Sequence, residues 1–89
     1  MSAKLPLSAE ARAILTDAKT QGGRIHVLQA DGLGKGAVLD ARNRFAQDIE
    51  TRRRQWDALQ DLVAAGLVDK LSDSWYELTR EGWEFVKEL

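Results

Sequence analysis

Apolar residues recur at intervals of three and four in two stretches of the chain, which is the spacing of one face of an α-helix. In the first stretch these positions are Ala11, Ile14, Leu15 and Ala18. Ser8, a preferred N-cap residue, precedes them, and a Gly-Gly pair that favours a left-handed exit follows Gln21. The pattern predicts a first helix between Ser8 and Gln21.

The second stretch lies in the back half of the chain. Its apolar positions are Trp56, Leu59, Leu62 and Val63. They form a stripe along one side of a helix, and Gly66 supplies the residue at which the helix ends. A long helix is therefore predicted to begin near residues 48–51 and to end at Gly66.

Shorter runs predict strands. In residues 24–29, Ile25 and Val27 share one face while His26 and Leu28 share the other, which is the alternation of a β-strand. Residues 67–71 and 75–78 are joined by a Ser-Asp-Ser turn and predict an antiparallel hairpin over residues 67–78. A last helix follows, capped by Thr79, with Trp83, Val86 and Leu89 at intervals of three.

The segment between the first strand and the long helix begins with a glycine-rich loop, residues 32–36. A phosphate-binding P-loop would need glycine in place of Gln29 and Ser or Thr in place of Gly36, so a plain surface loop is predicted. Residues 37–47 leave two alternatives open. They form either a short helix lined by Val38, Leu39, Phe45 and Ala46, or a short strand over residues 37–39.

Two motifs in the back half resemble the winged-helix superfamily. They are Leu59-x-x-Leu62-Val63-x-x-Gly66-Leu67-Val68 and Tyr76-Glu77-Leu78-Thr79-x-x-Gly82. The front half is similar to a small bacterial winged-helix module, with an opening helix, a Gly-Gly-Arg-Ile-x-Val-Leu strand, a glycine loop and an aromatic residue at Phe45. The resemblance covers residues 8–88 and implies an α+β winged helix. It would have three or four helices and a small antiparallel sheet, made of a strand near 24–29 and a wing hairpin at 67–78.

Function does not follow from this resemblance, because winged helices bind DNA, RNA and proteins. A winged helix would also place its second helix within residues 37–47, where the helical signal is weak. The chain departs from the pattern of a DNA-reading helix-turn-helix at this point.

Composition bounds the chain to a single domain over residues 1–89, with residues 1–7 predicted to be a disordered tail. The 89 residues are 44% hydrophobic and 30% charged, which is typical of a folded protein. There is no cysteine, and neither a signal peptide nor a membrane span is indicated. A cytoplasmic protein without membrane association is therefore expected.

Charge is distributed unevenly along the chain. Five arginines and two carboxylates give residues 42–54 a net charge of +3, whereas residues 55–89 carry three cations and eight carboxylates, a net charge of −5. The five arginines are named the arginine band: Arg42, Arg44, Arg52, Arg53 and Arg54. They are candidates for phosphate contacts. The favoured alternative is local neutralisation by pairs four residues apart. These pairs are Asp48 with Arg52, Glu50 with Arg54, and Arg53 with Asp57.

The acidic residues lie on the surfaces that meet DNA in a winged helix that reads DNA, namely the outward side of the long helix and the hairpin. They are Asp57, Asp61, Asp69, Asp73 and Glu77. Because affinity for nucleic acid depends on cations that neutralise phosphates, this charge argues against groove binding by these elements.

The aromatic residues divide by expected burial. Trp56 and Trp83 lie on apolar stripes and are predicted to be core. Trp75 alternates with an inward Tyr76, so it should point outward, either as an interface anchor or as a cover for its own hairpin. Phe85 is predicted to be a second exposed aromatic residue and a candidate contact for self-association.

No catalytic constellation is indicated. His26 is the only histidine, and it lies in a predicted strand where a structural role is more common than a catalytic one. No metal-ligand spacing, cofactor motif or small-molecule site is evident. The sequence favours a non-catalytic module that binds a protein partner or a second copy of itself. The alternative is a DNA-binding protein, resembling a transcriptional regulator, that uses the arginine band.

Overall fold

The computed structural model describes residues 7–29 and 36–88. In this part of the chain it has three helices and four strands. They are α1 (Ala9–Thr20), β1 (Arg24–Leu28), β2 (Ala37–Val38), α2 (Ile49–Ala64), β3 (Val68–Lys70), β4 (Trp75–Leu78) and α3 (Arg80–Val86). The α+β class is confirmed. The predicted tail and the glycine loop lie outside the described residues, except for Leu7, which packs against the core, and Gly36.

Side-chain caps begin all three helices. The Ser8 hydroxyl accepts a hydrogen bond from the Ala11 amide at 3.1 Å in α1. The Asp48 carboxylate accepts one from the Thr51 amide at 2.9 Å in α2. In α3 the Thr79 hydroxyl accepts one from the amide three residues later, at 3.0 Å. Each bond satisfies an amide that has no partner inside the helix, so the predicted starts of the helices are confirmed.

The four strands form one antiparallel sheet in the order β2-β1-β4-β3. The last strand in the chain, β4, therefore lies between β1 and β3. Ile25 of β1 is opposite Tyr76 of β4, which in turn is opposite Lys70 of β3. The hairpin of β3 and β4 agrees with the prediction, although regular pairing begins at Val68 rather than at Leu67.

One apolar cluster joins the inner face of this sheet to the helices. Its fully buried side chains are Tyr76, Leu15, Ile25, Leu59, Leu62, Val27, Val68 and Val86. Burial of each such aliphatic side chain contributes about 1.5–3 kcal/mol relative to leaving it in water. Since they come from α1, β1, α2, β3, β4 and α3, the core holds every long element of the described chain together.

Residues 37–47 contain a strand and a loop rather than a helix. Val38 of β2 pairs with Val27 of β1. Two residues later, the Asp40 carboxylate accepts hydrogen bonds from the amides of Arg42 (2.8 Å) and Arg44 (3.0 Å), which closes a tight loop. An aspartate that binds the amides two and four residues ahead competes with helix formation. Of the two alternatives for this segment, the strand is the one present.

Two aromatic predictions are wrong. Trp83, predicted to be core, is 37% exposed, and its ring lies over Gly23, where an added Cβ would approach Trp83 Cζ2 to 2.6 Å. Phe85, predicted to be exposed, is partly buried against the core. The reason is the rotation of α3, whose buried face runs through Gly82 and Val86. Trp56 packs against the core but is only partly buried.

Candidate interaction surfaces

Arg52 does not belong to a surface band of arginines. It is 8% exposed, and its Nη1 atom donates hydrogen bonds to the carbonyl oxygens of Ala46 (2.8 Å) and Gln47 (2.9 Å). Its guanidinium carbon lies 5.9 Å from the ring centre of Phe45, within the range of a cation–π contact. Arg52 therefore fastens the loop before α2 to the helix, and it is not available for an outside phosphate.

Arg54 connects two helices. Its Nε atom lies 3.2 Å from the Glu10 carboxylate of α1, and its Nη2 atom donates to the Thr51 hydroxyl at 3.0 Å. The predicted pairing of Arg54 with Glu50 is therefore wrong. A partner on another helix was not visible in the sequence, since local spacing reports only neighbours on the same helix.

The predicted pair of Asp48 with Arg52 is also absent as an ion pair, because the Asp48 carboxylate binds the amide and the hydroxyl of Thr51. These two bonds hold the pKa of Asp48 below its usual value, with smaller contributions from the charges of Arg54 and Arg52. Within the described residues, Arg53 makes no ion pair with Asp57 within 4.0 Å.

The remaining arginines are exposed. Arg44 lies 3.7 Å from the Asp40 carboxylate. The amides of Arg44 and Arg42 lower the pKa of Asp40, and the charges of both side chains add to this effect. Arg42 and Arg53 form no ion pair within the described chain. The arginine band is thus split into a buried residue, two paired residues and two exposed cations on different elements.

Four of the five acidic residues are exposed, as the sequence predicts. Asp57 and Asp61 are exposed on α2, and Asp69 and Asp73 are exposed on the hairpin. Asp73 forms an exposed ion pair with Lys70 at 3.3 Å. Glu77, the fifth acidic residue, is half-buried and lies directly opposite Asp69 in the β3–β4 register.

The outer face of the sheet carries a row of three side chains, the aromatic His26 and Trp75 and the aliphatic Leu71. His26 is opposite Trp75 in the β1–β4 register, and their rings stack with centroids 4.3 Å apart and planes 10° apart. The Leu71 amide donates to the Trp75 carbonyl at 2.9 Å, which continues the β3–β4 ladder by one residue. Trp75 is 41% exposed and Leu71 48% exposed. Trp75 therefore covers part of its own sheet and still presents an open surface.

Sequence reasoning singled out Trp75 but missed its two neighbours. His26 was assigned only a structural role, and Leu71 was assigned none. The alternation of β1 grouped His26 with Leu28 on one face but did not indicate which face is outward. What was missing was the register, because only the pairing of β4 with both strands places the three side chains in one row.

Hydrogen bonds hold the turn of the hairpin. The Ser72 hydroxyl accepts bonds from the amides of Ser74 (3.3 Å) and Trp75 (3.2 Å). Gln29 at the end of β1 donates its side-chain amide to the Asp73 carbonyl at 3.1 Å. These contacts fix the backbone of the turn from Ser72 to Trp75.

A small cavity of about 30 Å³ lies between α1 and the segment after β2. Its polar lining includes Glu10, Asp17, Asp40 and Gln55, and the Gln55 Oε1 atom is buried without a hydrogen-bond partner. Burial raises the pKa of Asp17, and the nearby charge of Asp40 raises it further. The cavity is large enough for a water molecule but not for an organic substrate.

No protein-family model, curated protein or solved structure matches this chain. Across residues 7–29 and 36–88, no group of three or more His, Asp or Glu side chains is placed to hold a metal ion. No helix in the same part of the chain has both the length and the apolar character needed to cross a membrane.

Proposed function

We propose that the chain is a winged-helix module that binds a protein partner and catalyses no reaction. The order of elements supports the fold assignment: an opening helix, a strand, a long helix, a two-stranded hairpin and a closing helix, with β4 between β1 and β3. In this proposal α2 corresponds to the third helix of a winged helix and the β3–β4 hairpin to its wing. The strand and loop of residues 37–47 take the place of the second helix.

The observation that carries the proposed function is the acidic charge on α2 and the hairpin. Asp57 and Asp61 lie on the exposed side of α2, and Asp69 and Asp73 lie on the exposed hairpin. In winged helices that read DNA these two elements approach the duplex. Phosphates repel carboxylates, and binding to nucleic acid is driven by cations, so this surface favours a protein partner.

The alternative function, DNA binding through the arginine band, has weaker support. Arg52 is buried against two carbonyl oxygens, and Arg54 is paired with Glu10. Arg42, Arg44 and Arg53 stay exposed, but Arg44 is paired with Asp40. Few arginines of the band are therefore left to contact phosphates, and the affinity of a protein for DNA depends on the number of such contacts.

A two-armed binding experiment tests the proposed function. A fluorescently labelled random-sequence duplex is titrated with the full chain at low salt, and displayed random peptides are selected against the same immobilised chain. We expect enrichment of peptides and no saturable binding to the duplex. Duplex binding that weakens as salt rises, and weakens again in the double variant Arg42→Ala with Arg53→Ala, would overturn the proposal. The double variant Arg12→Ala with Lys19→Ala removes the same two positive charges from exposed positions on α1 and serves as the control for non-specific charge effects.

Sedimentation equilibrium of the free protein tests whether the partner is a second copy. Partly buried Phe85 offers less area for self-association than an exposed residue would, so Trp75 is the more informative position. We expect a monomer. A dimer that dissociates on Trp75→Ala would identify a second copy as the partner.

A further inference from the structure

We propose that the partner contributes an extended segment with a basic and an apolar side chain two residues apart, and that this segment docks on the outer face of the β3–β4 hairpin. The basic side chain lies at Asp69 and Glu77, and the apolar side chain lies on Trp75 and Leu71. The inference rests on the proposed protein-binding function and adds the chemical class of the partner and the place where it binds.

Two carboxylates on the outer face of the hairpin, those of Asp69 and Glu77, form no ion pair with another described side chain. Asp69 and Glu77 are directly opposite each other across the hairpin. Like charges in this position destabilise a sheet. Arg24 is opposite Glu77 on the other side, yet no ion pair within 4.0 Å involves any of these three residues among the described side chains. A lysine or arginine from a partner would relieve the repulsion, so the charge of the site specifies a cation.

A preorganised aromatic anchor, Trp75, lies beside this pair of carboxylates. One face of the Trp75 ring is stacked on His26, and the turn before it is fixed by the Ser72 hydroxyl. An ordered ring loses little conformational freedom on binding, which is the property of a good interface anchor. Tryptophan is also the side chain that attracts a cation most strongly through its ring.

The spacing of two rows of side chains on the hairpin matches the spacing of side chains on an extended partner. The row that contains Asp69 and Glu77 and the row that contains Leu71 and Trp75 are two residues apart along each strand. This separation is about 6.8 Å in an antiparallel sheet. Side chains i and i+2 of an extended partner have the same separation and point the same way. One basic and one apolar side chain on such a segment therefore reach both rows together.

Two double variants, one at the site and one away from it, remove the same amount of charge and together test this site. Displayed random peptides are selected against the full chain at low salt, and the most enriched peptide is synthesised for titration. We expect enrichment of Lys or Arg two positions from an aliphatic or aromatic residue. We expect the double variant Asp69→Asn with Glu77→Gln to bind the peptide about tenfold more weakly, and Trp75→Ala to weaken it by a similar factor.

The matched control is Asp57→Asn with Asp61→Asn, which removes the same charge from exposed positions on α2. It should change the affinity by less than about twofold, since these charges act only at long range. Amide resonances of His26 and Leu71 should shift when the peptide is added, a response that loss of folding would not produce. Circular dichroism of each variant verifies that it is folded.

The remaining outcomes overturn the inference and separate it from the proposed function. If the double variant Asp57→Asn with Asp61→Asn weakens binding of the peptide and Asp69→Asn with Glu77→Gln does not, the chain binds protein but the assigned site is wrong. If acidic or uncharged peptides are enriched, the chemical class of the partner is wrong. If no peptide is enriched and the duplex binds, the proposed function fails together with the inference.

Discussion

Arg52 is a cation in the first turn of α2, where the helix dipole disfavours positive charge by about 0.3–1 kcal/mol. Its contacts offset that cost. Hydrogen bonds from a charged group contribute about 1.5–3 kcal/mol, and Arg52 donates two of them to carbonyl oxygens of the preceding loop. The side chain is therefore placed for stability, and the unfavourable position does not require an external phosphate.

Replacement of Arg52 by alanine should lower the free energy of unfolding by about 2 kcal/mol. The carbonyl oxygens of Ala46 and Gln47 would lose their donors, and each unsatisfied polar group in a part-buried place is costly. Urea denaturation measures the effect. Arg53→Ala removes the same charge from an exposed position in the same turn. It should shift the free energy of unfolding by less than about 0.5 kcal/mol. Equal effects of the two variants would contradict the role of Arg52.

Gly82 is a second residue whose role depends on a contact. In a helix, alanine is normally more stable than glycine by about 1 kcal/mol. At Gly82, however, an added Cβ would meet the backbone carbonyl oxygen of Leu67, which cannot rotate away, and would lie 3.3 Å from Leu78 Cδ2. Overpacking of this kind costs about 1–3 kcal/mol and should outweigh the gain in helix propensity.

We therefore expect Gly82→Ala to lower the melting temperature, although propensity alone predicts an increase. Differential scanning calorimetry gives the sign directly. Glu84→Ala is the control in the same helix, since its side chain is exposed and its ion pair with Lys87 is long, 3.9 Å. A rise in the melting temperature of Gly82→Ala would show that α3 does not pack closely on Leu67.

At the scale of elements, carboxylates fix the loop after β2 and the start of α2. Backbone amides hold the pKa of Asp40 low, and the Thr51 amide and hydroxyl hold that of Asp48 low. Asp17 of α1 has a raised pKa because it is partly buried and faces Asp40. Protonation therefore has opposite effects on the two kinds of group.

The free energy of unfolding should first rise slightly as pH falls from neutral, and then decrease below about pH 3.8. Asp17 has a folded pKa above its unfolded value, so the folded state takes up this proton first and gains stability. The pKa values of Asp40 and Asp48 in the folded state lie below the usual value of 3.8. The stability that their charges provide is therefore lost as the pH falls from about 3.8 through their pKa values in the folded state. Urea midpoints measured across this range give the curve.

Two variants test which carboxyl group causes the rise and which causes the fall in the pH dependence of stability. Asp17→Asn should remove the initial rise. Asp48→Ser should reduce the later fall, because a serine cap accepts the same hydrogen bond without a titrating group. An unchanged profile in Asp17→Asn would contradict the raised pKa of Asp17.

At the scale of the whole molecule, the fold depends on its last third. β4 is the only described strand that joins β1 to β3, and it brings the fully buried Tyr76 into the core. α3 adds Val86 to the same cluster. Local structure in the first two thirds cannot close this sheet, since contacts between β1 and β4 span about half of the chain.

A chain that ends at Leu71 should be unfolded, as measured by the dispersion of its amide resonances. Addition of a synthetic peptide of residues 72–89 should restore the dispersion by supplying β4 and α3. The same peptide with Tyr76→Ser is the control and should not restore it, because loss of the buried ring would leave a cavity in the core. A truncated chain that is folded alone would contradict the central role of β4.

The elements themselves were predictable because their signals are local. Periodicity located α1 and α2, caps located their starts, and alternation located β1 with Ile25 and Val27 on one face. The hairpin followed from two short arms and a polar turn. The acidic character of the outward surfaces was also visible in the order of charges.

Charge and periodicity in the sequence thus determined the helices, the strand β1, the hairpin, the four exposed aspartates and the outward position of Trp75, since these depend on near neighbours. Only the tertiary structure decided the strand at residues 37–38, the burial of Arg52 and the pairing of Arg54 with Glu10. It alone also placed Trp83 at the surface and joined His26, Trp75 and Leu71 in one row. The physical reason is that these outcomes depend on contacts between elements distant in the chain, which local spacing does not encode.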